Sequence, residues 1–117
     1  MGYLTTHILD AAQGCPAAGV RIELYDVGSG EAKFLAEAVT NGDGRCDEPI
    51  LGENSFAAGV YELRFHIGNY FKAVGIGLPD PVFLDVVPIR FGMASPDDHY
   101  HVPLLVSPYA YSTYRGS

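Results

Sequence analysis

Three features of this 117-residue sequence predict an all-β fold, a two-sheet antiparallel sandwich of seven or eight strands with one short helix. Short segments of alternating apolar and polar residues recur along the chain, turn-forming Gly, Pro, Asn and Asp punctuate them at close intervals, and a single stretch reads as helical. With 48% hydrophobic and 12% aromatic residues the chain can fill a core without staples. No repeat, linker or low-complexity tract divides it, so residues 1–117 are expected to form one domain. The formal net charge of −7, with no basic run, argues against nucleic acid or an anionic membrane as partner.

The first strand is predicted from Tyr3 to Leu9, ahead of a turn-rich segment from Asp10 to Gly19. A second strand follows, with Val20, Ile22 and Leu24 on one face and Arg21, Glu23 and Tyr25 on the other. After the loop at Gly28 to Glu31, Lys33 to Thr40 is read as a third strand, although its Ala and Glu content would also suit a helix. Asn41-Gly-Asp-Gly-Arg45 is a turn whose glycines suit positive φ, and it launches Arg45 from the rim of the sheet. Pro49 to Leu51 reads as a short strand.

In Val60 to Ile67 the apolar Tyr61, Leu63, Phe65 and Ile67 alternate with Glu62, Arg64 and His66, the pattern of a half-buried strand. Asn69 is placed to cap a helix from Tyr70 to Gly75. Val82 to Phe91 and His99 to Val106 are the next strands, the latter paired through Ser107-Pro108 with Tyr109 to Gly116.

The last nineteen residues, 99–117, hold two of the four histidines and four of the eight tyrosines but none of the fourteen acidic side chains. An anionic ligand is expected there. His99 and His101 lie two residues apart, so on a strand they project from one face. With His7 they could form a zinc site with an open position, or one or two of them could serve as general acid and base near neutral pH. Spacing alone leaves both readings open. His66 has no distinctive neighbours and is read as a surface or hydrogen-bonded imidazole.

Arg45 is either a solvated turn charge or a planar donor fork for a carboxylate, urea-like or imide group. Arg115 has the same two readings. The serines lack the glycine pattern of a nucleophile elbow. Cys15 and Cys46 form no CxxC pair, and their spacing leaves a disulfide open. The segment Met1 to His7 lacks signal-peptide character, no apolar run reaches membrane-spanning length, and the protein is expected in the cytoplasm.

Several motifs together resemble the transthyretin-related 5-hydroxyisourate hydrolases of purine catabolism. They are Leu4-Thr-Thr-His-Ile-Leu-Asp10, Gly14-Cys-Pro-Ala17, Asp43-Gly-Arg45, Gly59-Val-Tyr-Glu-Leu63, Pro88-Ile-Arg-Phe91, His99-Tyr-His-Val-Pro-Leu-Leu105 and the terminal Tyr114-Arg-Gly-Ser117. The resemblance implies a transthyretin-like sandwich assembled as a homotetramer, a dimer of dimers, with sites where dimers face each other. It implies hydrolysis of the N1–C6 amide of 5-hydroxyisourate, a small-molecule substrate, to 2-oxo-4-hydroxy-4-carboxy-5-ureidoimidazoline, with no metal or cofactor. It implies His7, Arg45 and His101 as the catalytic set and Tyr114, Arg115 and Ser117 as substrate-binding residues, with the two cysteines as bystanders. The alternative is a transthyretin-like carrier that binds a small ligand without turnover.

Overall fold

A computed structural model describes residues 2–52 and 55–116. Eight strands and one helix are present among them, in two four-stranded sheets. The strands are β1 (Tyr3–Asp10), β2 (Cys15–Pro16), β3 (Arg21–Asp26), β4 (Lys33–Val39), β5 (Gly59–His66), β6 (Val86–Met93), β7 (His99–Ser107) and β8 (Ala110–Thr113), and the helix α1 (Ile67–Ala73) follows β5. One sheet runs β2-β1-β7-β8 and the other β4-β3-β5-β6. The expected sandwich is therefore present, with all strand pairs antiparallel except β1 and β7, which are parallel.

Alternation along each strand explains the packing. In β1, Leu4, Thr6, Ile8 and Asp10 point into the sandwich while Thr5 and His7 stay half-buried on the outer face. In β7, Tyr100, Val102, Leu104 and Val106 point inward and His99 and His101 outward. Facing them, Ile22 and Leu24 of β3, Leu63 and Phe65 of β5 and Val87 and Ile89 of β6 complete one core. Each such side chain, fully buried, contributes about 1.5–3 kcal/mol. The edge strand β4 is largely exposed and adds little to that core.

Several local expectations need correction. The helix begins three residues before Tyr70, because Ile67, Tyr70 and Phe71 are buried at helical spacing and set the inward stripe. His66 is therefore the N-cap, without a side-chain cap bond, and Asn69 lies exposed inside the first turn. Val82 to Asp85 lie outside β6, which extends instead to Met93. Pro49 to Leu51 is no strand but a single bridge from Leu51 to Leu4, and β8 ends at Thr113. Cys15–Pro16, within the expected turn-rich segment, pairs briefly with β1.

One buried polar cluster ties the sheet to the helix. Asp10, fully buried, accepts hydrogen bonds from the backbone N–H groups of Ala12 and Gln13 at 2.9 Å each, from Gln13 Nε2 at 2.7 Å and from the Tyr70 hydroxyl at 2.8 Å. Four donors offset the desolvation of the carboxylate. Burial and the Asp10 bond push the Tyr70 phenol far above its usual range, so it remains a donor.

Candidate active site

The parallel pairing of β1 with β7 builds the site. Its register sets Thr5 beside His101 and Tyr3 beside His99, so the outward residues of both strands form one patch on the outer face of the sheet. Arg45 arrives from a third segment. Asn41 closes its turn: its side-chain oxygen accepts from Asp43 N at 2.9 Å and Arg45 N at 3.2 Å, and its backbone N–H donates to Arg45 O at 2.7 Å. The turn then docks on β1 through Ile8 N to Gly44 O at 2.9 Å and a bridge between His7 and Arg45.

Gly44 is required at this docking point. Its φ is +72°, and a Cβ there would stand 2.5 Å from the Ile8 carbonyl oxygen. No other residue type lets the turn approach β1 this closely.

Thr5, Thr6, Arg45, Cys46, Glu48, His99 and His101 line a cleft of about 310 Å³. The His7 ring lies 6.5 Å from that of His101. His7, Arg45 and His101, far apart in sequence, thus meet at one place. Burial first, and then the Arg45 cation, lower the His7 pKa, while Asp43 opposes that shift. For His101, burial, then Arg45, His99 and His7 all act downward. Both imidazoles are therefore neutral near pH 7 and can accept a proton. Among the described residues no salt bridge engages Arg45, so its guanidinium fork is open to a ligand.

The tail meets the site through its backbone. Gly116 N donates to His101 O at 2.7 Å, and a Cβ on Gly116 would lie 2.6 Å from His101 Cδ2. The Tyr114 and Arg115 side chains do not join His7, Arg45 and His101. They line a separate cleft of about 240 Å³ with Ile89, Phe91 and Tyr100, where the Arg115 guanidinium stacks 4.2 Å over the Tyr100 ring and reaches Asp98 at 3.8 Å. The expectation for Ser117 falls outside the described residues.

Sequence reasoning passed over Thr5 and Glu48 and took Cys46, which lines the cleft, for a bystander. Thr5 was detectable, since it shares a strand face with His7 at a spacing of two. Cys46 is a free thiol whose pKa is raised by burial and then by Asp47, so it is no thiolate nucleophile at neutral pH. Cys15 is also free. Among the described residues no three His, Cys, Asp or Glu side chains are grouped to hold a metal ion. His99 Nε2 and His101 Nδ1 are both engaged by the Thr5 hydroxyl instead. His66 lies elsewhere, its Nε2 bonded to Glu23 at 2.6 Å.

A family model described as the HIUase/Transthyretin family matches residues 4–116. A Pseudomonas aeruginosa protein named 5-hydroxyisourate hydrolase is 59% identical over 117 residues, covering all of this chain and 93% of its own length. The solved structure of an (S)-allantoin synthase superposes with a TM-score of 0.92 at 50% identity, over 99% of this chain and 44% of that one. This chain thus spans less than half of that protein. A sea bream transthyretin solved with thyroxine gives a TM-score of 0.83 at 32% identity, over 97% of this chain and 93% of that one. Among the described residues no helix is long and apolar enough to cross a membrane.

Proposed function

The chain belongs to the HIUase/transthyretin family, and from that premise we propose that it hydrolyses 5-hydroxyisourate in purine catabolism, with His7, Arg45 and His101 as its catalytic set. The observation that carries this reading is a polar cleft lined by the open Arg45 guanidinium and the neutral His101 imidazole, with the neutral His7 ring 6.5 Å from that of His101. A flat, electron-poor heterocycle with several carbonyl groups matches those donors and acceptors.

In the proposed reaction a neutral imidazole takes a proton from water as the water oxygen bonds to C6. The N1–C6 bond then breaks, and the imidazolium returns its proton to N1, leaving a carboxyl group and a ureido group. General-base assistance of this kind supplies roughly 10²–10⁴-fold. Arg45 orients the ring and meets the negative charge that develops on the C6 oxygen, a second contribution of roughly 10²–10³-fold where a comparable donor has been removed. The Gly116 backbone holds the tail against His101, and in the assembled protein Tyr114 and Arg115 contribute substrate contacts.

That last role belongs to the second part of the proposal, a homotetramer built as a dimer of dimers. Its support is the edge strand β8, exposed along its length, with Tyr111 on it at 44% exposure, Tyr109 in the turn before it at 60%, and Phe83, packed against Tyr109, at 72%. Sedimentation of the purified protein tests it: a monomer at micromolar concentration would refute it. Decay of freshly generated 5-hydroxyisourate, followed in the ultraviolet with and without protein, tests the activity. Catalysed decay is expected, whereas saturable binding without turnover would make the protein a carrier.

A further inference from the structure

Thr5 occupies a position in the cleft that the reaction as described does not use. Its Oγ1 lies 2.7 Å from His99 Nε2 and 2.8 Å from His101 Nδ1. A hydroxyl carries one proton, and each nitrogen of a neutral imidazole is either donor or acceptor. Thr5 can therefore donate to at most one of these rings, and a ring that receives no proton from Thr5 must itself donate to it, so His101 Nδ1 is either an acceptor from Thr5 or a donor to it.

The two arrangements differ in what His101 offers the cleft. If Thr5 donates to His101 Nδ1, the His101 proton sits on Nε2 and the ring presents an N–H. If Thr5 donates to His99 Nε2, His101 holds its proton on Nδ1 and presents a lone pair. The surroundings favour the second. His101 faces Thr5 and His7 from β1, His99 from its own strand, Arg45 and Glu48 from the turn and the segment after it, and the Gly116 backbone. Arg45 is the cation of that set and lines the cleft together with His101. A cation beside the ring stabilises a lone pair and opposes an N–H dipole pointing the same way. His99 is held for its part by stacking on Tyr3, at 4.2 Å and 23°.

We propose that Thr5 is a positioning residue for the hydrolysis: it accepts the His101 Nδ1–H, donates to His99 Nε2, and so makes His101 Nε2 the base. The assignment rests on the hydrolase reading above. When Nε2 takes the proton of the attacking water, the new imidazolium keeps its Nδ1–H bond to the Thr5 oxygen, which stabilises the charge. The Nε2 proton then passes to N1 as the N1–C6 bond breaks, and His101 returns to its starting tautomer. His99 serves as the acceptor that stops the Thr5 hydroxyl from turning its proton toward His101.

The test is ¹⁵N NMR of the full-length protein without substrate, above the pH at which the imidazoles titrate, with the His101 signals assigned by their loss in His101→Gln. Wild type is expected to show His101 protonated on Nδ1 and bare on Nε2. Thr5→Val is expected to move His101 toward the Nε2–H form, and Thr5→Ser to restore it. In turnover, Thr5→Val should lower kcat roughly tenfold, the population change expected from losing one ordinary hydrogen bond. Its acid limb should move to lower pH, because the imidazolium loses its acceptor, and Thr5→Ser should recover both properties.

A wild-type His101 protonated on Nε2 would overturn the assignment without need of any variant. So would Thr5→Val with wild-type tautomer and kcat. The tautomer is read without substrate, so a wild type unable to hydrolyse 5-hydroxyisourate overturns the hydrolase reading separately.

Discussion

Replacing Gly44 by alanine should damage both fold and catalysis, because one glycine lets the Arg45 turn lie against β1. The φ of +72° costs an alanine about 1–2 kcal/mol. The added Cβ would also sit 2.5 Å from the Ile8 carbonyl oxygen and 3.2 Å from Ala17 N, both backbone atoms that no rotamer change can clear. The turn must then retreat and stretch the Ile8 N to Gly44 O bond, worth about 0.5–1.5 kcal/mol.

Together these effects predict a loss of roughly 2–3 kcal/mol, on the order of 10 °C in Tm for a domain of this size. Arg45 moves with the turn, so kcat/KM should fall at temperatures where the variant is still folded. Urea unfolding and steady-state turnover measure the two effects. Gly42→Ala, in the same turn but with open space around its Cβ position, should change neither by much. A Gly44→Ala protein with unchanged stability and activity would refute the argument that close backbone approach places Arg45.

Gly116→Ala should lower kcat/KM with little change in unfolding midpoint, because its methyl group would press on His101 Cδ2 at the periphery of the fold. Steady-state kinetics beside a melting curve check this. Tyr70→Phe should do the reverse, costing about 1–3 kcal/mol by removing one donor from the buried Asp10 carboxylate while leaving turnover intact. The pH profile follows from the lowered pKa values of His7 and His101. Activity should hold as pH falls to the usual imidazole value of about 6.5 and decline only below it, since the neutral base persists to lower pH. Stability has the same sign. The unfolded chain takes up protons first, so the contribution of neutral burial is present above about 6.5 and is lost as pH falls toward the folded-state values.

The sandwich was readable because the segments that became β3 and β5 alternate apolar with polar residues, and turn-forming residues punctuate the chain between strands. The helix start was misread because Asn69 is a good cap by type, whereas the buried stripe of Ile67, Tyr70 and Phe71 decides where the helix docks. His7 and His101 could be proposed from the sequence, but their meeting depends on the parallel register of β1 with β7, a long-range pairing that no local pattern encodes. The Thr5 bonds depend on the same register. The tail's division of labour was equally hidden: Gly116 lies on His101 while Arg115 turns away to stack on Tyr100, and only the path of the chain beyond β8 separates them.

The most direct measurement is turnover of freshly generated 5-hydroxyisourate by wild type beside His7→Ala, Arg45→Ala and His101→Ala, with folding and assembly mass verified for each. The wild type should accelerate ring opening. The His101 variant should lose roughly 10²–10⁴-fold in kcat, and the other two should also fall well below wild type. Variants at all three positions that keep wild-type kcat and KM would contradict the account.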